Sequence, residues 1–137
     1  MKLYDLRTEY RENPIGLTEK APRFSWKIES DEKDTVQTSY EIKVTDENGK
    51  LVWDSGKKVS DQSVLISYEG EALADETFYT VEVTVADNHG NEESVEGSFE
   101  TGIFDQTEFK AQMITSDFPE DETACPVFGK TFVIDKR

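Results

Sequence analysis

Glycoside, ester or peptide hydrolysis calls for paired carboxylates, an oriented histidine or an activated thiol, so these residues come first. The chain carries 30 acidic residues, and that many carboxylates fall near one another by number alone. The densest group, Asp117, Glu120, Asp121 and Glu122, reads as solvated loop charge, because blocks of like charge repel and stay in water. His89 is the single histidine. It sits in Asp87-Asn88-His89-Gly90-Asn91, a turn, without the neighbouring group that would orient it as a general base. Cys125, the single cysteine, lacks the histidine arrangement of a nucleophile and alone makes neither a zinc site nor an internal disulfide. Asp46-Glu47-Asn48-Gly49 begins like a calcium loop but lacks the later ligands and the closing Glu. Trp53 and Phe78 are the aromatics available to stack on a sugar ring. The plainer reading has Trp53 capping the core and Phe78 covering a contact between domains, since aromatics in alternating strands usually pack. No Gly-x-Gly-x-x-Gly or phosphate loop occurs. No residue is therefore assigned a catalytic, cofactor-binding or metal-binding role, and no cofactor is expected.

The elements that would position these residues are strands. Phe24, Trp26 and Ile28 alternate with Arg23, Ser25 and Lys27. Tyr40, Ile42 and Val44 alternate with Glu41, Lys43 and Thr45, the pattern of a half-buried strand. Asp46 to Lys50 supplies turn chemistry, with Asn48-Gly49 suited to positive φ, and Leu51-Val52-Trp53 begins the return. Val64-Leu65-Ile66 reads as a short apolar strand. Tyr79, Val81, Val83 and Val85 form the longest alternating set, facing away from Phe78, Thr80, Glu82 and Thr84. A second turn follows at Asp87–Asn91, after which Val95, Gly97, Phe99 and Thr101 would close the sheet. Pro14 and Pro22 precede the Phe24 strand, where a missing donor is tolerated. Short strands and turns with no helix between them predict an all-β, antiparallel two-sheet sandwich, with a small barrel as the alternative. Trp26, Tyr40, Ile42, Tyr79, Val81 and Val83 are expected to be buried together.

Composition narrows the partners. A net charge of −15 over 137 residues repels phosphate backbones and anionic lipid, which argues against nucleic-acid and membrane-surface partners. Mean hydropathy is −0.67, and no apolar run approaches the roughly 20 residues that a membrane span needs. Aromatics at 11% are too many for a disordered chain. The opening Met1-Lys2-Leu3-Tyr4-Asp5 has no apolar leader segment, so a cytoplasmic location is expected, or an extracellular one if the sequence starts after a removed leader.

Leu73-Ala74-Asp75-Glu76-Thr77-Phe78-Tyr79 resembles the tyrosine corner of fibronectin type III (immunoglobulin-like) domains, where a tyrosine ring fills core and its hydroxyl returns to the backbone. A second resemblance spans more of the chain. Tyr4-Asp5-Leu6-Arg7-Thr8-Glu9-Tyr10, Asn13-Pro14-Ile15-Gly16 and Pro22-Arg23-Phe24-Ser25-Trp26 are similar to the N-terminus of bacterial α-L-rhamnosidases. So, in the same order, are Gln37-Thr38-Ser39-Tyr40, Val52-Trp53-Asp54-Ser55-Gly56, Ser60-Asp61-Gln62-Ser63, Val85-Ala86-Asp87-Asn88-His89-Gly90 and Phe99-Glu100-Thr101-Gly102. Gln112-Met113-Ile114 departs from the family's usual tryptophan-containing Lys-Trp-Ile. The resemblance implies a fibronectin type III-like sandwich over 1–103 and a linker or exit segment over 104–124. It also implies the truncated first strand of a following jelly roll over 125–137, with Val127 to Ile134 as its strand. Activity, in this family inverting hydrolysis of terminal α-L-rhamnosyl residues by two barrel carboxylates, would lie in a later (α/α)₆ domain. This stretch would then be non-catalytic, its partners the remaining domains of the same polypeptide, with a homo-oligomer of the parent possible. A carbohydrate-binding module and a protein-binding fibronectin-like module are the alternative functions.

Overall fold

A computed structural model describes residues 1–105, 107, 110–117 and 125–134. Its named elements are all strands: β1 Lys2–Thr8, β2 Arg23–Glu29, β3 Gln37–Asp46, β4 Leu51–Asp54, β5 Lys58–Val59, β6 Ile66–Ser67, β7 Phe78–Asp87 and β8 Glu92–Glu100. They form two separate antiparallel sheets, one in the order β1-β2-β6, the other β4-β3-β7-β8 with β5 also on β3. This is the sandwich, not the barrel. Register explains the core. Tyr40, Ile42 and Val44 stand opposite Val85, Val83 and Val81, so alternation on two strands becomes one apolar face. Leu3 and Leu6 of β1 with Phe24 and Trp26 of β2 supply the facing layer.

Aromatic rings bridge the layers in sequence. Phe24 lies 6.1 Å from both Trp53 and Phe99, Tyr79 stacks on Phe99 at 5.0 Å, and Tyr68 meets Trp53 edge-on at 5.2 Å. Such pairs add to the area they bury. Tyr40 is only half-buried, since it lies toward the end of the inner face, where its ring meets the edge of Trp26 at 5.4 Å. The buried indole is also satisfied. Trp26 Nε1 donates to Gln37 Oε1 at 2.9 Å, and Gln37 Nε2 donates to the carbonyls of Ser60 and Gln62.

Both predicted hairpins use one device. The leading aspartate, Asp46 or Asp87, accepts through Oδ1 from backbone N–H groups two and four residues on. Gly49 and Gly90 then take φ of 78° and 86°, the left-handed step of a three-residue loop that L side chains resist. The tyrosine corner is formed as well. Tyr79 Oη accepts from the Ala74 N–H at 2.9 Å, while Thr101 Oγ1 donates to the Ala74 carbonyl at 2.6 Å.

One strand expectation is corrected. Val64-Leu65-Ile66 is not a strand. Leu65 takes φ of 54° and Val64 is exposed, so only Ile66–Ser67 pairs with β2. Val127 to Ile134, whose strand partners the resemblance puts in the following jelly roll, pairs with no described strand, and Val127, Phe128, Phe132, Val133 and Ile134 are exposed. A strand needs a neighbour for its backbone groups. The last residues of the 125–137 segment, like most of the acidic group, lie outside the described residues.

Candidate functional site

A concavity opens where β1 and β8 approach without pairing. It is a cleft of about 450 Å³ lined by Tyr4, Asp5, Leu6, Glu12, Asn13, Val95, Glu96 and Gly97. Local backbone makes it. A bulge interrupts β1 between Tyr4 and Arg7, and Asp5 and Asn13 hold φ of 54° and 44°. Asn13 Oδ1 accepts from the Ser98 N–H at 2.9 Å, pinning the far wall to β8. Leu6 packs under Gly97, where an added Cβ would meet Leu6 Cδ2 at 3.0 Å.

Three carboxylates reach this cleft, and the most constrained is already neutralised. Asp5 pairs with Lys27 and Arg7, each at 2.7 Å. Hydrogen bonds from Lys27 and then Arg7 hold its carboxyl below the ordinary carboxylate value, against the opposing effect of burial. A carboxylate so held stays ionised at neutral pH and makes a poor general acid. Its pairing is structural: the two bases anchor the bulge.

The residues singled out from sequence are scattered. Asp117 is exposed, while Glu120, Asp121 and Glu122 lie outside the described residues. His89 presents Nδ1 to Glu32 Oε2 at 3.4 Å across two loops, a contact invisible to sequence because it joins distant turns. Neither group lines the cleft. Cys125 is exposed. Asp46 spends Oδ1 on two backbone N–H groups, so the calcium-like tetrad is a hairpin. Trp53 is buried against Phe24, whereas Phe78 stands on the outer face, 44% exposed. The two aromatics therefore share no sugar-stacking platform. No group of three or more His, Cys, Asp or Glu side chains that could hold a metal occurs among the described residues, and no helix there is long and apolar enough to cross a membrane. Sequence reasoning missed the cleft residues Asn13 and Glu96, because they meet only through the β1 bulge and left-handed turns.

Residues 3–105 match the family model of the Rha78A-like, N-terminal immunoglobulin domain. The chain belongs to this family. Members of the wider group agree with that domain assignment. An α-L-rhamnosidase of Streptomyces avermitilis is 37% identical over 120 residues, covering 83% of this chain and 12% of its own length. One from Formosa agariphila is 33% identical over 109 residues, again covering 12% of its own length. Among solved structures, the Streptomyces avermitilis α-L-rhamnosidase complexed with L-rhamnose superposes with a TM-score of 0.75 at 34% identity, over 80% of this chain and 11% of that one. The α-L-rhamnosidase from Dictyoglumus thermophilum gives 0.73 at 36% identity, over 81% and 13%. This Rha78A-like domain thus spans about an eighth of the length of the curated relatives it matches.

Proposed function

We propose that this Rha78A-like domain is a non-catalytic accessory domain of a larger α-L-rhamnosidase, which removes terminal α-L-rhamnosyl residues by inversion. The observation that carries the reading is coverage: relatives bearing that activity are matched over only 12% of their length. The interior supports it. Inverting hydrolysis needs an acid and a base carboxylate across the scissile bond, roughly 6.5–9.5 Å apart with room for water. Here the space between the sheets is taken by Phe24, Phe99, Ile42 and the valines of β7, all fully buried. The acid and base are assigned to domains beyond this one, and the partners of this domain to the rest of the same polypeptide.

The cleft between β1 and β8 provides the test, since three carboxylates, Asp5, Glu12 and Glu96, line one substrate-sized concavity. In the full-length polypeptide, Glu12→Gln with Glu96→Gln is expected to leave kcat on an aryl α-L-rhamnoside within about twofold. Losing a true general acid or base costs about 10²–10⁴-fold. A hundredfold fall in kcat with the fold intact would move the chemistry into this domain and overturn the reading.

A further inference from the structure

The large sheet's outer face changes character along its length. Midway along it carries Glu82 between Lys43 and Glu96, the two acids a like-charged cross-strand pair, and farther from the exit Glu41 stands opposite Thr84 and Glu92 opposite Ala86. At the exit end the facing rows are Thr80 opposite Ser98 and Phe78 opposite Glu100. The Phe78 ring is 44% exposed there, and Ile15, in the segment that runs along the free edge of β8, is 76% exposed. That segment is bound tightly. Glu100 N donates to the Pro14 carbonyl, Leu17 N to the Glu100 carbonyl and Gly102 N to the Leu17 carbonyl. The chain leaves the sandwich at Gly102, beside the backbone segments that carry Phe78 and Ile15. Glu76 N donates to the Gly102 carbonyl on the Phe78 side, and a Cβ on Gly102 would stand 3.1 Å from the Gly16 carbonyl oxygen on the Ile15 side.

We infer that this exit-end face, centred on Phe78, Glu100 and Ile15, is the surface on which the next domain of the same polypeptide docks. The inference rests on the accessory-domain reading and adds its contact surface. Three observations carry it. The face adjoins the point where the chain departs, so the following sequence reaches it first. In a chain of net charge −15, it has shed charge where the rest of the sheet has kept it, and charged residues are depleted at interface centres. Finally, Glu100, flanked by the two apolar groups, takes part in none of the ion pairs among the described residues. The partner surface is thus apolar, with one Lys or Arg set to meet Glu100.

Cysteine accessibility tests this. In a Cys125→Ser background, Phe78→Cys, Ile15→Cys and the same-face control Glu92→Cys are labelled with a maleimide in the 137-residue chain and in the full-length polypeptide. Docking predicts labelling at 78 and 15 slower by about tenfold or more in the long polypeptide, as expected for a desolvated interface core, with the control unchanged. Equal rates at 78 and 15 in both would overturn the inference. Concentration-dependent protection in the short chain alone, with a dimer on sedimentation, would also overturn it by making a second copy the occupant. Rhamnosidase activity, measured in the same long polypeptide, is read separately. Protection without activity sinks the functional reading alone, and activity without protection sinks the docking surface alone.

Discussion

Tyr79 places an aromatic ring and a hydroxyl in the same closed space. Its ring stacks on Phe99 while Oη accepts from the Ala74 N–H, inside a corner that Thr101 also ties to Ala74 and Thr77. Tyr79→Phe keeps the ring and strands that N–H, so it should destabilise the domain by about 1–3 kcal/mol, the range for an unmet buried donor. The urea midpoint should fall with the m-value unchanged. An unaltered midpoint would mean that water reaches the corner. Charge at this scale acts on the acid side. Hydrogen bonds from the Arg23 side chain hold the Glu9 carboxyl below its ordinary value of 4.5, with burial opposing and the Arg23 backbone N–H assisting. At Asp87 burial pushes upward, but hydrogen bonds from Asn91 and His89 carry the carboxyl below its ordinary 3.8. Both folded values are lowered, so the stabilisation is complete above the ordinary values and is lost as pH falls through the lowered ones. Thermal stability should therefore decline below about pH 4.5, the onset that linkage sets for such a pair. Glu9→Gln should flatten that decline, and an identical acid slope in the variant would contradict the pairing. Tyr68 acts at the other end. Burial first, then the nearby Tyr79 and Glu71, push its hydroxyl up to about 12, so its contribution is whole below pH 10 and lost as pH rises toward the folded value.

At the scale of elements, what the sequence reveals depends on regular alternation. β2, β3, β7 and β8 were legible because two-residue periodicity places their apolar residues on one face, and the Asp-x-x-Gly turns were legible from their left-handed glycines. β1 is harder to read, because the bulge after Tyr4 puts Leu3 and Leu6 three residues apart and breaks the period. Val64 to Ile66 misled for the opposite reason. Three apolar residues imply a strand, but Leu65 turns to positive φ and its N–H bonds to Ser25 Oγ instead of joining a ladder. The cleft was illegible altogether, since its walls come from segments brought together by side-chain hydrogen bonds such as Asn13 to Ser98. A local rule can be checked at Gly70, which looks unremarkable in sequence. A Cβ there would come within 2.5 Å of both Trp53 Cβ and the Tyr68 hydroxyl. Gly70→Ala should cost about 1–3 kcal/mol, the usual overpacking penalty, and lower the thermal midpoint. A neutral outcome would show that the 68–71 turn gives way freely.

For the whole molecule, 30 acids against 15 bases, a net charge of −15, make the folded chain repel itself. Raising ionic strength from low salt toward physiological levels shortens the Debye length to about 8 Å, so added sodium chloride should raise the thermal midpoint. A falling midpoint would mean that the exposed ion pairs, such as Lys50 with Glu71, outweigh the repulsion. Charge of this kind tunes solubility and not chemistry. The accessory-domain proposal rests on coverage, with relatives matched over only 12% of their length, and an interior filled by aromatic and valine side chains agrees with it. The most direct measurement is turnover by the purified 137-residue chain on an aryl α-L-rhamnoside, followed by release of the aryl alcohol. The account predicts release at the uncatalysed rate, alongside cleavage by the full-length polypeptide under the same conditions. Turnover by the short chain, abolished by substituting Asp5, Glu12 or Glu96, would contradict it.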